Sequence, residues 1–207
     1  MKLSRRALLV AVPALALPGL ARAADAADPA ETPRTLGKPG APVSVVEFYS
    51  LTCTHCADFD QNVFPTVRHD LIDSGKLYYE FYDFPLDQVA LMAAMVARSL
   101  PTERYVPFIN ALLSSQDTWA FAHGVNYTEE LAKMAALAGM ARPEFDKAIA
   151  NQKLKDWILN RMNAAQQRFA IDSTPTFVFN GPKAKDHREV GEVPYIVFAH
   201  DVTAVGG

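Results

Sequence analysis

Cysteine is almost missing from this chain: its 207 residues include two, Cys53 and Cys56. A secreted domain of this size that relied on disulfides for stability would usually carry four or more, so a stapled framework is excluded. Runs of like charge are missing too. Lys and Arg number 20 against 23 Asp and Glu, a net charge of −3, and the basic residues are scattered, which argues against nucleic-acid binding. Beyond the first two dozen residues, no apolar stretch approaches the roughly 20 residues of a membrane span. Internal repeats are absent as well. What is abundant is core material, since half of the residues are hydrophobic, 50%. That suffices for one globular domain of about 180 residues with room for an insertion.

The beginning of the chain reads as an export signal. Lys2, Arg5 and Arg6 form a basic region, residues 7–17 an apolar stretch broken by Pro13, and Ala21-Arg22-Ala23 a small-residue cleavage pattern. Ser4-Arg5-Arg6-Ala7-Leu8-Leu9 also has the form of a twin-arginine signal, which exports folded protein. Either route, Sec or twin-arginine, ends in the periplasm, an oxidising compartment where a cysteine pair can exist as a disulfide without being structural.

Residues 24–35, rich in Ala, Asp and Pro at their start, read as a flexible leader, and Gly37, Pro39 and Gly40 as a turn. Val43–Tyr49 has the short apolar character of a buried central strand. A helix is predicted over 53–73, with Phe59, Val63, Val67 and Leu71 four residues apart and a kink at Pro65. Aromatic residues 76–84 predict a second strand. Five helices follow: 89–100, 103–115 with Pro107 in its first turn, 129–138 capped by Thr128, a short one opened by Pro143, and a long one striped by Leu154, Trp157, Ile158, Met162, Ala165 and Phe169. Strands at Thr176–Asn180 and His187–Val190 and a helix over 193–205 complete the chain. A β-α-β half and a β-β-α half, separated by helices, describe an α/β protein with a mixed sheet.

Cys53-Thr54-His55-Cys56 stands at the junction of the first main strand and the helix after it. Side chains three apart lie on one helical face, so the pair can close a disulfide. Three readings compete there: a small structural bridge, a soft-metal site using Cys53, His55 and Cys56, and a redox-active pair. A bridge this short closes too small a loop to stabilise much. Zinc wants about four ligands, and His69, His123, His187 and His200 are scattered, which suits solvated surface positions. Redox chemistry needs a thiolate, and the unpaired amides of a first helical turn, with His55 protonated nearby, would lower the pKa of Cys53. Asp58 and Asp60 read as solvated residues of the following helix, and Trp119, Trp157 and the methionines as core. Thr174-Pro175 either merely begins a strand or, with a cis bond, leaves the Thr174 backbone free to pair with a peptide.

Val45-Val46-Glu47-Phe48-Tyr49-Ser50, then Cys53-Thr54-His55-Cys56, and far downstream Thr174-Pro175-Thr176-Phe177-Val178-Phe179-Asn180-Gly181 together resemble the DsbA-type thiol:disulfide oxidoreductases over most of residues 36–205. The resemblance implies a thioredoxin fold with an inserted all-helical subdomain. Its first half would span 36–86, the insertion 87–171 and the second half 172–207, after a signal peptide at 1–23. It further implies Cys53 as nucleophile, Cys56 as resolving thiol and Pro175 in cis opposite them. Glu47 matches a buried acid that moves protons beneath Cys56, where the residues alone also allow a carboxylate in water at a strand edge. Thr54 replaces the Pro of the best-known members, which bears on the redox potential. No cofactor and no metal is implied. The expected partners are unfolded exported proteins and a membrane reoxidising protein of the DsbB type, and the chain is expected as a monomer. An isomerase or reductase, and a non-catalytic client-binding domain, are the competing functions.

Overall fold

The computed structural model describes residues 28–206. The expected signal peptide and the start of the leader lie outside the described residues. Five strands form one mixed sheet in the order β1-β3-β2-β4-β5: β1 (Arg34–Leu36), β2 (Val43–Tyr49), β3 (Leu77–Asp83), β4 (Thr176–Asn180) and β5 (His187–Val190). β2 and β3 run parallel, and every other pairing is antiparallel. The apolar run Val43–Tyr49 accordingly holds the centre, paired on both sides, as its composition requires.

Alternation along β2 sends Val43, Val45, Glu47 and Tyr49 to one face and Val46 and Phe48 to the other. The first face meets α1 (Thr54–Asn62), α2 (Phe64–Val67) and α9 (Tyr195–Gly206), with Phe59, Phe177 and Phe198 in mutual ring contact. On the second face Phe48, Val178 and Phe84 pack against Ala165 and Phe169 of α8 (Gln152–Phe169). Between β3 and β4 run α3 (Gln88–Ser99), α4 (Thr102–Ser114), α5 (Gln116–Trp119), α6 (Tyr127–Leu137), α7 (Arg142–Ile149) and α8.

Several local expectations change. The single helix over 53–73 is three pieces: α1 starts after Cys53 and stops at Asn62, α2 restarts with Pro65 in its first turn, and Arg68–Ile72 forms a π-helical turn. Proline lacks an N–H and crowds the residue before it, so it opens a new helical turn rather than bending an old one. Asn126, not Thr128, caps α6, accepting from the Thr128 and Glu129 amides at 3.0 and 3.4 Å. Pro107 lies inside α4 rather than in its first turn.

The end of the segment read as a flexible leader is ordered. Pro29–Glu31 form a short 3₁₀ turn and Arg34 pairs with Phe81 as the start of β1. Its anchor is a buried polar cluster. Arg98 of α3 pairs with Asp83 at the end of β3 and donates to the Ala30 and Thr32 carbonyls at 3.2 and 2.9 Å, while Arg34 donates to the Arg98 carbonyl at 2.8 Å. Tyr49 and Tyr105 share a hydrogen bond of 2.7 Å beside Asp83. This cluster ties the leader and two inserted helices to the sheet.

Candidate active site

Strand β2 ends at Tyr49, and Ser50-Leu51-Thr52 carries the chain to Cys53, the N-cap of α1. Cys53 has extended backbone angles, φ −90° and ψ 120°, so its sulfur stands at the open end of the helix where first-turn amides lack partners. The loop is fixed from outside. Gln116, buried at the start of α5, donates its side-chain amide to the Leu51 and Cys53 carbonyls, both at 3.0 Å. The Thr52 hydroxyl donates to Asp87 at 2.7 Å, and the Leu86 amide to Ser50 at 3.3 Å.

Both cysteines are free thiols, with Cys53 8% exposed and Cys56 fully buried. The Cys53 pKa is lowered to about 6, chiefly by a hydrogen bond from the Cys56 thiol, against burial, and further by Thr174 and the Cys56 and His55 amides. The Thr174 hydroxyl is buried with no other hydrogen-bond partner among the described residues, which leaves it free to donate to the Cys53 thiolate. Burial pushes the Cys56 thiol well up, and Cys53 and Glu47 push it further. The two thiols are thus separated electrostatically: Cys53 favours the anion and Cys56 the neutral form.

The Thr174–Pro175 peptide is cis and lies against the pair: in the protonated form the Cys53 thiol donates to the Thr174 carbonyl at 3.2 Å across 121 residues of sequence. The Pro175 carbonyl accepts from the Gly191 amide at 2.8 Å, which ties this turn to the end of β5. His55 is exposed, and its Nδ1 lies 2.8 Å from Glu192, whose hydrogen bond raises the imidazole pKa. Thr54 is exposed on the first turn.

Glu47 is not a carboxylate in water. It sits in the central strand, 5% exposed, accepting from the Tyr79 hydroxyl at 2.7 Å, and burial pushes its pKa up to about 8. Asp58 is exposed as expected, but Asp60 is half-buried and burial raises its pKa to about 6. Sequence reasoning missed Gln116, Glu192, Tyr79 and Asp60 as neighbours of the site. Gln116 and Glu192 approach from elements far along the chain, with no local pattern to betray them.

A Cys-x-x-Cys pair at a helix N-terminus, facing a cis-proline across a mixed sheet, is the arrangement of thioredoxin-like redox proteins. A family model described as Thioredoxin matches residues 29–197. Wolbachia pipientis α-DsbA1 superposes with a TM-score of 0.77 at 31% identity, covering 84% of this chain and 91% of that one. BdbD of Bacillus subtilis, at 20% identity and a TM-score of 0.70 over 84% and 94% of the two chains, shares the fold. Disulfide bond formation protein D of B. subtilis is 28% identical over 76% of this chain and 72% of its own. A Rickettsia typhi protein, provisionally named a protein-disulfide oxidoreductase, is 29% identical over 73% of this chain and 56% of its own. The chain therefore belongs to the thioredoxin family, among its DsbA-like members. It spans about half the length of the Rickettsia relatives it matches.

Proposed function

We propose that this chain is a thiol:disulfide oxidoreductase that introduces disulfides into exported proteins, with Cys53 as nucleophile and Cys56 as resolving thiol. The observation that carries this reading is the Cys53 thiol, lowered to about 6 beside a Cys56 thiol pushed well up. A stabilised thiolate favours the reduced pair, which makes the oxidised pair a donor of disulfides.

In the oxidised form, a client thiolate attacks the Cys53 sulfur, the Cys53–Cys56 bond breaks and Cys56 leaves with its electrons. Glu47, largely protonated at neutral pH with a pKa of about 8, supplies the proton Cys56 takes up. A second client thiolate then attacks the client sulfur of the mixed disulfide, and Cys53 departs as the stabilised thiolate. The client loses two electrons and its two thiol protons; the pair gains the two electrons and the one proton that Glu47 hands to Cys56. Cys53 stays a thiolate at neutral pH, and the client's protons pass to solvent, from which Glu47 is reprotonated. Thr174, before the cis Pro175, offers backbone to an extended client segment. His55 adds positive charge near Cys53 when protonated, and Thr54 tunes the potential from the exposed first turn.

The reading carries a periplasmic location, reached through the expected Sec or twin-arginine signal, a monomeric state and reoxidation by a membrane protein of the DsbB type. Among the described residues, no helix is long and apolar enough to cross a membrane.

Equilibration of the pair against glutathione tests the direction. A potential close to the roughly −120 mV of a strong oxidant supports the proposal, and one near the roughly −270 mV of thioredoxin overturns it in favour of a reductase or isomerase. A Cys56→Ser variant should accumulate mixed disulfides with exported proteins through Cys53. Absence of such adducts would point to a non-catalytic client-binding domain.

A further inference from the structure

The geometry points to a zinc(II) site at the edge of the sheet, built from His187 and Glu189 of β5 and Asp201 of α9. The strand's period of two puts His187 and Glu189 on one face, both half-buried, opposite Phe179 and Phe177 of β4. Helix α9 covers that face: the Phe198 ring lies 5.0 and 5.4 Å from those of Phe179 and Phe177. Asp201, three residues beyond Phe198, turns the same way and is buried.

One ligand atom from each of the three residues lies within 4.8 Å of the others, and His187 Nε2 is already 3.1 Å from Asp201 Oδ1. Donors bound to one zinc ion at about 2.0–2.2 Å stand roughly 3–3.5 Å apart, so small side-chain rotations would close the set.

The second observation is Asp201 itself. Its side chain is 7% exposed, and its Oδ2 is buried with no hydrogen-bond partner among the described residues. An orphaned carboxylate oxygen is costly, and a cation would satisfy it. One imidazole and two carboxylates suit zinc better than calcium or magnesium, which favour all-oxygen sets. The fourth position is left to water or to His200, whose Nδ1 is 3.6 Å from Asp201 Oδ1. Such an ion would clamp the edge strand to α9. It would also steady Gly191, just past β5, whose amide holds the Pro175 carbonyl.

A competing cluster, His55, Asp58 and Glu192, has ligand atoms equally close, but all three residues are exposed. The test separates the two. Full-length protein, stripped with chelator and oxidised so that Cys53 and Cys56 cannot bind metal, is titrated calorimetrically with zinc. One site is expected, weakened about tenfold or more by His187→Ala and unchanged by His55→Ala. Saturating zinc should also shift the His187 imidazole resonances, a readout independent of redox activity. Wild-type protein that does not bind micromolar zinc, binding unaffected by His187→Ala, or binding lost in His55→Ala would each overturn the proposal. Because His187 is only half-buried at a sheet edge, its alanine variant is expected to fold, and its far-ultraviolet spectrum checks this.

Discussion

Replacing Cys56 with alanine should raise the Cys53 pKa, because the Cys56 thiol is the largest single contribution holding it at about 6. A hydrogen bond to a charged acceptor is worth about 1.5–3 kcal/mol, and one pKa unit about 1.4 kcal/mol, so the midpoint should rise by roughly one to two units. With the native pair, roughly 90% of Cys53 is thiolate at pH 7, and in the variant roughly 10–50%. Ultraviolet thiolate absorbance followed against pH reads the midpoint directly, and alkylation rates check it. Cys56→Ser keeps a donor and should move the midpoint less than alanine does. A midpoint unchanged in Cys56→Ala would refute the argument and leave the helix amides as the cause. The same shift has a thermodynamic sign. Between the folded value near 6 and an unfolded value near 8.5, the unfolded chain binds more protons, so the reduced protein gains stability as pH rises. That contribution is complete above about pH 8.5 and is lost as pH falls through about 6, whereas the oxidised protein lacks it.

Gln116→Leu should cost about 1–3 kcal/mol in urea unfolding, since it strips the donor from the buried Leu51 carbonyl; an unchanged midpoint would refute the clamp. Glu47→Gln should remove a stability loss that develops as pH rises from about 4.3 toward the folded value of about 8, so the variant gains on the parent across that window; equal pH profiles would show Glu47 ionised and solvated. Arg98→Met leaves Asp83 buried without its partner and should cost about 3–5 kcal/mol, with Asp83→Asn in the same chain restoring part of it; a loss under about 1 kcal/mol would show that the pair is dispensable. Glu192→Gln should lower the His55 pKa, followed by the imidazole resonances against pH, and an unmoved titration would mean that the 2.8 Å contact does not persist in solution.

Local physics made much of this protein readable from its residues. Val43–Tyr49 and Thr176–Asn180 are strands at the expected bounds because β-branched and aromatic runs flanked by turn residues have few other options, whereas His187–Val190, with Val190 its one β-branched residue, is held as a strand by antiparallel pairing with β4. Cys53 and Cys56 could be singled out because no other cysteine exists and their spacing is one helical turn. β1 was not readable: Arg34-Thr35-Leu36 has no strand pattern, and it pairs only because Arg98 and Asp83 gather that segment against β3. The division of the 53–73 helix turned on where Pro65 could begin a turn, which depends on packing as much as on the proline itself.

The cysteine pair, its helix and its strand were therefore determined by sequence alone, since each depends on neighbours within a few residues. Tertiary structure decided what the pair is like. Thr174 and Pro175 arrive from 121 residues away, Gln116 from the inserted helices, and Glu47 becomes a buried acid only once β2 lies between β3 and β4. Charge, burial and pKa are set by whatever surrounds a group in space, and sequence spacing carries no record of that.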